Sequence, residues 1–395
     1  MIVYGDHKET LTADEYFNNT ESTLHELELS GFKGHNSTVE LLISTGIFEA
    51  ALIDHLSEET DRNDHFSGSL RELSLEAGHV FLNSLEGNTE AVKMWTHSFS
   101  EKLQSLKSLP LPSPVISGVP EGYAYYSLYP EMYVRSAMKF FEQEHPVGVT
   151  VIGIRSIGTS LSAVTAALLI KMGCSVTTFS VRPRGFFFSR KLSLSANLEE
   201  LIRSQSGNHF LIVDEGPGLS GSSLCSTADK LSSLGVPRDR IILFPSWNSD
   251  GSSFVSEESR LTWQMHKKYV TDFEHAVNLS SLLPANLTCE SIQDISAGSW
   301  RSMFYKNSDE SPAIYRNFEQ RKYLCTIASG KVAPESNGAK TGSKILLKFA
   351  GLGIYGRLLF ERAQKLAAAG FSPIAYGINN GFISFEFIDG MPLSI

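Results

Sequence analysis

The chain has 395 residues, 42% hydrophobic and 19% charged, which is the balance of a globular protein and excludes wholesale disorder or a fibrous repeat. Its net charge of −9 is uneven: residues 1–110 carry 19 acidic against 7 basic side chains and the remainder 24 against 27, so no basic excess supports general nucleic-acid binding. Four scattered cysteines, Cys174, Cys225, Cys289 and Cys325, form no C-x-x-C pair, which argues against a zinc ribbon or disulfide framework and reads as reduced thiols.

Residues 1–10 show no basic segment followed by an apolar core. The best apolar run, 161–170, is broken by Ser162 and Thr165 and is too short to span a bilayer, so a cytoplasmic protein with no membrane contact is expected. From 11 to about 106 the apolar residues Val39, Leu42, Ile43, Phe48, Leu52 and Ile53 recur at helical spacing, with Ser37 and Thr38 as candidate caps. The prolines of 109–114 cannot continue a helix, which places a boundary near 110.

Beyond it, short apolar runs alternate with helical patterns, as in a parallel sheet covered on both faces. Strands are predicted at 147–153, 175–181, 210–213 and 241–244, with helices at 160–172 and at 222–234, the latter stopping at Gly235. From about Trp300 the texture changes again. Residues 309–317 read as a loop, 331–343 are rich in Gly, Ser, Asn and Pro, a strand is predicted at 344–349, and a helix at 357–369 ends at Gly370. Two strands then flank the turn 379–381. The expected layout is an acidic α-helical domain (1–110), a doubly wound α/β domain (111–299) and a small α+β domain (300–395).

The richest stretch is 210–224, in which a buried strand delivers Asp214 and Glu215 at its carboxyl end, followed by a Gly/Ser loop and a helix start. In an open α/β sheet that edge is where ligands bind. Loop amides, the hydroxyls of Ser220, Ser222 and Ser223 and the helix dipole make an anion cradle suited to a phosphate monoester. Carboxylates beside such a cradle suit sugar hydroxyls or a magnesium ion. Phosphate, diol and metal together suggest a phosphoribosyl group.

These residues resemble the type I phosphoribosyltransferases over about 120–250. The resemblance implies a phosphoribosyltransferase-like α/β core using Mg2+ and phosphoribosyl pyrophosphate. It makes Asp214 and Glu215 the ribose-contacting and metal-holding pair, and Gly218, Leu219, Ser220, Gly221, Ser222 and Ser223 the phosphate loop. The stretch from Glu215 to Gly221 departs from the family pattern by about one extra residue and contains Pro217. The turn after the 147–153 strand matches the family's pyrophosphate loop, with Ser156, Gly158, Thr159 and Ser160 offering amides and hydroxyls and Arg155 as a charge partner. The segment 181–191 lies where the family has a closing loop. Its Arg182, Arg184, Arg190 and Lys191 are the candidates for stabilising departing pyrophosphate.

The implied reaction is displacement of pyrophosphate at the anomeric carbon by a base-like nucleophile, with no covalent enzyme nucleophile required. Tyr125, Tyr126 and Trp247 are candidates for stacking on a planar acceptor. His25, His55, His65 and His79 show no metal-ligand spacing. The C-terminal stretch is similar to the amino-terminal lobe of aminoglycoside-phosphotransferase-type kinases, implying a pairing of Lys348 with Glu361. No catalytic loop follows, so phosphotransfer by this chain alone is not expected. The alternative keeps the fold without catalysis: a phosphoribosyl or nucleotide sensor, or an assembly component that meets a protein partner through its C-terminal lobe.

Overall fold

The computed structural model describes residues 8–57, 59–284, 287–306, 311–314, 319–328 and 344–390. The chain begins with β1 (Lys8–Leu11) and four helices, α1 (Ala13–Leu29), α2 (His35–Leu56), α3 (His65–Leu85) and α4 (Thr89–Lys107), followed by β2 (Val115–Gly118) and the short α5 (Glu121–Tyr125). There follow α6 (Pro130–Glu144), β3 (Gly148–Ile154), α7 (Gly158–Lys171), β4 (Ser175–Val181), α8 (Ala196–Ser204), β5 (His209–Val213), α9 (Ser222–Ser233), β6 (Ile241–Phe244), α10 (Glu257–Met265), β7 (Lys267–Lys268) and α11 (Phe273–Ala276). The last elements are β8 (Cys289–Asp294), β9 (Lys322–Ile327), β10 (Lys344–Phe349), α12 (Ile354–Ala368), β11 (Ala375–Asn379) and β12 (Phe382–Glu386).

Two compact units result, Met1–Pro120 with Leu128–Ala276, and Glu121–Ser127 with Val277–Ile395. In the first, five strands in the order β4-β3-β5-β6-β7 form an all-parallel sheet. Of these, β3, β5 and β6 are near-continuous apolar runs because both faces are buried. Ile152, Ile154, Phe210, Ile212 and Leu243 point to one face, where they share a core with Leu198 and Ile202 of α8, Leu224 and Leu231 of α9, and Trp263 of α10. The other face is covered by α7, which packs on β3 and β4 and in turn against α2, α3 and α6.

That second layer explains why the acidic helices fall in the same unit as the sheet, although composition suggests a domain of their own. From Gly158 to Leu169 every residue of α7 is buried, and a helix apolar all round needs cover on its outer side. Helices α2 and α3 supply it. Gly46 of α2 permits close approach: a Cβ there would lie 2.8 Å from that of Ser160. The antiparallel pair β1–β2 clips the two ends of the helical segment together, Leu11 opposite Val115. Helix α2 begins at His35 rather than behind Ser37 or Thr38; with Gly34 at the N-cap, the Thr38 hydroxyl turns back to the His35 carbonyl at 2.8 Å.

The second unit is an antiparallel five-stranded sheet, β11-β12-β10-β9-β8. Its β11–β12 hairpin turns through Asn380 and Gly381, both at positive φ (46° and 76°), the conformation a two-residue primed turn requires. The strands β8 and β9 escape sequence reading because neither alternates cleanly. They also carry a correction: Cys289 and Cys325, expected as separate thiols, are joined as a disulfide across these neighbouring strands, while Cys174 and Cys225 are buried thiols. No ion pair joins Lys348 to Glu361; burial lowers the lysine's pKa, and among the described residues the carboxylate acting on its ammonium is that of Glu319. Glu361 points to solvent. The Gly/Ser/Asn/Pro-rich stretch 331–343, and most of the loop expected at 309–317, lie outside the described residues.

Candidate functional site

The first strand-to-helix step in the sheet leads from β3 to β4 and the next returns across β3 to β5, so the strand order reverses between β3 and β5. At such a point the two connecting helices lie on opposite faces and leave a crevice beyond the carboxyl ends of the strands. The loops after β3, β4, β5 and β6 all issue at this edge. Among them are the two motifs singled out in the sequence.

After β5, Asp214 and Glu215 leave the sheet and the chain turns through Pro217 and Gly218 into α9. The Asp214 carboxylate accepts the Glu215 amide at 2.8 Å, and the buried Tyr133 hydroxyl donates to the Asp214 carbonyl at 2.6 Å. Tyr133 therefore braces the backbone from the core. Lost hydration raises the Asp214 carboxyl to about 6, against the bond from Glu215 and the positive charges of Arg190 and Arg182. Leu219 stands exposed at the loop tip, and Gly221, at φ 61°, turns the chain into α9. The Ser220 hydroxyl donates to that of Ser222 at 3.1 Å.

The segment after β4 is an ordered hairpin. Arg184 and Lys191 exchange backbone hydrogen bonds at 2.8 Å, and Ser189 closes the tip onto Phe186. Phe186 and Phe187 are exposed there. Two bonds dock this hairpin on the start of α9: the Ser222 hydroxyl donates to the Phe187 carbonyl at 2.7 Å, and Arg190 donates to the Ser223 hydroxyl at 2.8 Å. Arg190 thus sits at the start of α9, beside the Asp214–Ser223 loop, while Lys191 is exposed. Burial lowers the Arg190 pKa and the Asp214 carboxylate partly offsets it.

The turn after β3 is tightly built. A Cβ on Gly158 would lie 2.5 Å from the Val213 carbonyl oxygen, so glycine lets the start of α7 meet the end of β5. The hydroxyls expected to face a ligand here are largely committed elsewhere. Thr159 is buried and donates to the Gly46 carbonyl at 2.9 Å and to the Ser156 carbonyl, and the Ser160 hydroxyl donates to the Ile157 carbonyl at 3.0 Å. The reason is α2, which covers this turn, and a covered hydroxyl finds a protein acceptor. Of the turn's expected residues, Ser156 alone is not buried.

Arg155 is likewise corrected. Its side chain has no exposed surface; Nε donates to Asp54 at 2.7 Å, Nη1 to the Ser180 carbonyl at 2.9 Å, and Nη2 to Asp61. It is a structural cation, unable to reach a ligand without breaking three bonds. Arg182 pairs with Asp54, and Arg184 with Asp61 at 3.0 Å. Asp54 and Asp61 lie 94 to 128 residues from the arginines they pair with in the chain, and no local motif marks them. The available signal was global: an acidic segment 1–110 against a basic cluster at 182–191.

After β6, the Ser246 amide donates to the Gly216 carbonyl at 2.9 Å, which sets the following residues beside the acidic pair. Trp247, nearly half exposed, lines an open depression of about 410 Å³ with Asn248, Ser249, Asp250 and Ser253. Tyr125 and Tyr126 belong to the second unit, edge to face with ring centroids 6.2 Å apart. Among the described residues no three His, Cys, Asp or Glu side chains converge as metal ligands, and no helix is long and apolar enough to cross a membrane. Comparison with protein-family models, with curated proteins and with solved structures found no match to this chain.

Proposed function

We propose that the first unit binds phosphoribosyl pyrophosphate at the carboxyl edge of its parallel sheet and acts as a phosphoribosyltransferase-like enzyme. The observation that carries this reading is the convergence at the strand-order reversal of a strand-to-helix turn at Ser156–Gly158 with the Asp214–Ser223 loop, to which Arg190 is hydrogen-bonded. The start of α9 and Arg190 would hold the 5′-phosphate, since first-turn helix amides lack intrahelical partners. Asp214 and Glu215 would take the ribose hydroxyls.

The acidic pair also fits a magnesium ion. Asp214 is a carboxylate raised by lost hydration, and a divalent cation with its waters and a ligand's hydroxyls would restore what burial removes. Magnesium, when bound, supplies charge neutralisation at the pyrophosphate. The chain's own part is to hold the ribose against the carboxylates and shield the reacting carbon beneath the 184–191 hairpin. Trp247 would stack on a planar acceptor.

A second reading, a sensor with the same ligand and no turnover, is favoured by one observation: Arg155, Arg182 and Arg184 are already paired with carboxylates. Calorimetric titration with phosphoribosyl pyrophosphate, with and without Mg2+ and with ribose 5-phosphate as control, tests both. Metal-dependent binding weakened at least about tenfold by Asp214→Asn with Glu215→Gln is expected. Unchanged affinity in that folded double variant refutes the site. Binding without pyrophosphate release across a panel of acceptor bases selects the sensor.

A further inference from the structure

The ion network behind the β4 loop joins two carboxylates to three guanidinium groups, and its members are not equivalent. Asp61 has no exposed side-chain surface and accepts from Arg155, from Arg184 and, at 2.7 Å, from the Arg182 amide. Arg155 is fully engaged. Arg184 donates to Asp61, to the Ser57 carbonyl and, at 2.8 Å, to the Arg182 carbonyl. These contacts fix the backbone around Arg182 and leave its side chain the loosest member. The Arg182 side chain is 34% exposed against 0% for Arg155 and 23% for Arg184, and its guanidinium is held through Nη2 on Asp54. Its Nε is buried without a hydrogen-bond partner among the described residues. Asp54, 25% exposed, would remain compensated by Arg155 Nε at 2.7 Å if Arg182 left it.

Building on the phosphoribosyl reading, we infer that Asp54 is a positioning residue which holds Arg182 beside the Ser156 turn, and that an incoming pyrophosphate group takes Arg182 from it. The place is set by backbone. The Arg155 amide donates to the Val181 carbonyl at 2.9 Å, so Arg182 follows directly on the strand end that adjoins the Arg155–Ser156 turn. A guanidinium whose Nε is unmatched and whose Nη2 rests on a shared carboxylate is suited to exchange that carboxylate for two phosphate oxygens in a fork. The acidic helical segment thereby tunes the anion affinity of a sheet edge to which it adds no ligand contact.

The test uses the full chain and inorganic pyrophosphate as the probe, titrated calorimetrically into wild type, Asp54→Asn, Arg182→Gln and the double variant, with ribose 5-phosphate titrated in parallel. Asp54→Asn is expected to tighten pyrophosphate binding by about tenfold and Arg182→Gln to weaken it by about as much. In the Arg182→Gln background, Asp54→Asn should change nothing, a coupling that generalised loosening of the fold does not produce. Ribose 5-phosphate affinity should stay within about twofold throughout. Unchanged or weaker pyrophosphate binding in folded Asp54→Asn, additive effects, or no pyrophosphate binding by any form overturns the inference. If Asp54→Asn does not fold, undiminished pyrophosphate affinity in Arg182→Gln overturns it as well. Coupling at pyrophosphate with no ribose 5-phosphate binding would sink the phosphoribosyl reading and leave this one standing; the converse pattern would do the opposite.

Discussion

Replacing Asp214 by Asn should make the ligand-free protein more stable while weakening ligand binding. The Asp214 carboxyl is raised from 3.8 to about 6 by lost hydration, so the folded state holds its proton more tightly than the unfolded chain does. The associated stability is present in full below the unfolded value near pH 4 and is lost as pH rises through about 6. A shift of about two units corresponds to about 3 kcal/mol as an upper bound, at about 1.4 kcal/mol per unit. Asn keeps an oxygen to accept the Glu215 amide and has no charge to desolvate. In urea denaturation followed from pH 4 to 8, Asp214→Asn should match wild type near pH 4 and exceed it by up to about 3 kcal/mol at pH 7.5. An equally or less stable variant at pH 7.5, with native far-ultraviolet dichroism, would refute the argument that this carboxylate is held at the site against its solvation. Ligand affinity should move the opposite way, falling below pH 6 in wild type as Asp214 takes up its proton.

Three further outcomes follow from the same geometry. Gly158→Ala brings a Cβ to 2.5 Å from the Val213 carbonyl; it should destabilise by about 1–3 kcal/mol, read from the denaturation midpoint, and an unchanged midpoint would show that the two loops are not packed as described. Arg155→Ala strips the fully buried Asp61 of one of its guanidinium partners and should cost about 3–5 kcal/mol, whereas Lys191→Ala, exposed on the 184–191 hairpin, should cost less than about 0.5 kcal/mol. Ser223→Ala removes the acceptor for Arg190; limited proteolysis at the exposed Phe186–Phe187 tip should quicken several-fold with the midpoint nearly unchanged, and equal cleavage rates would count against hairpin docking through this bond.

Much of the first unit was legible in the residues. Strands β3, β5 and β6 are buried on both faces and therefore appear as apolar runs, and the Asp214–Ser223 stretch announces itself because a strand end, two carboxylates and a Gly/Ser turn into a helix occur within ten residues. Short-range physics is sufficient for both: each element's signal lies inside its own segment. The β11–β12 turn at Asn380-Gly381 was legible for the same reason, since few residues tolerate positive φ.

Other features depend on encounters between distant segments. Nothing near Asp54 or Asp61 in the chain says that they meet Arg155, Arg182 and Arg184, and a buried arginine looks the same in sequence as one free to hold a phosphate. The hydroxyls of Thr159 and Ser160 read as ligand donors until α2 is seen to cover them. Cys289 and Cys325 became partners only through the pairing of β8 with β9. By itself the sequence determined the parallel sheet and the Gly/Ser turn that leaves its carboxyl edge, because propensity, hydrophobic pattern and turn chemistry act locally. Tertiary structure decided which charges are already paired, because electrostatic pairing depends on distance in space, and the ion pairs of Arg155, Arg182 and Arg184 span from 94 to 128 residues of chain.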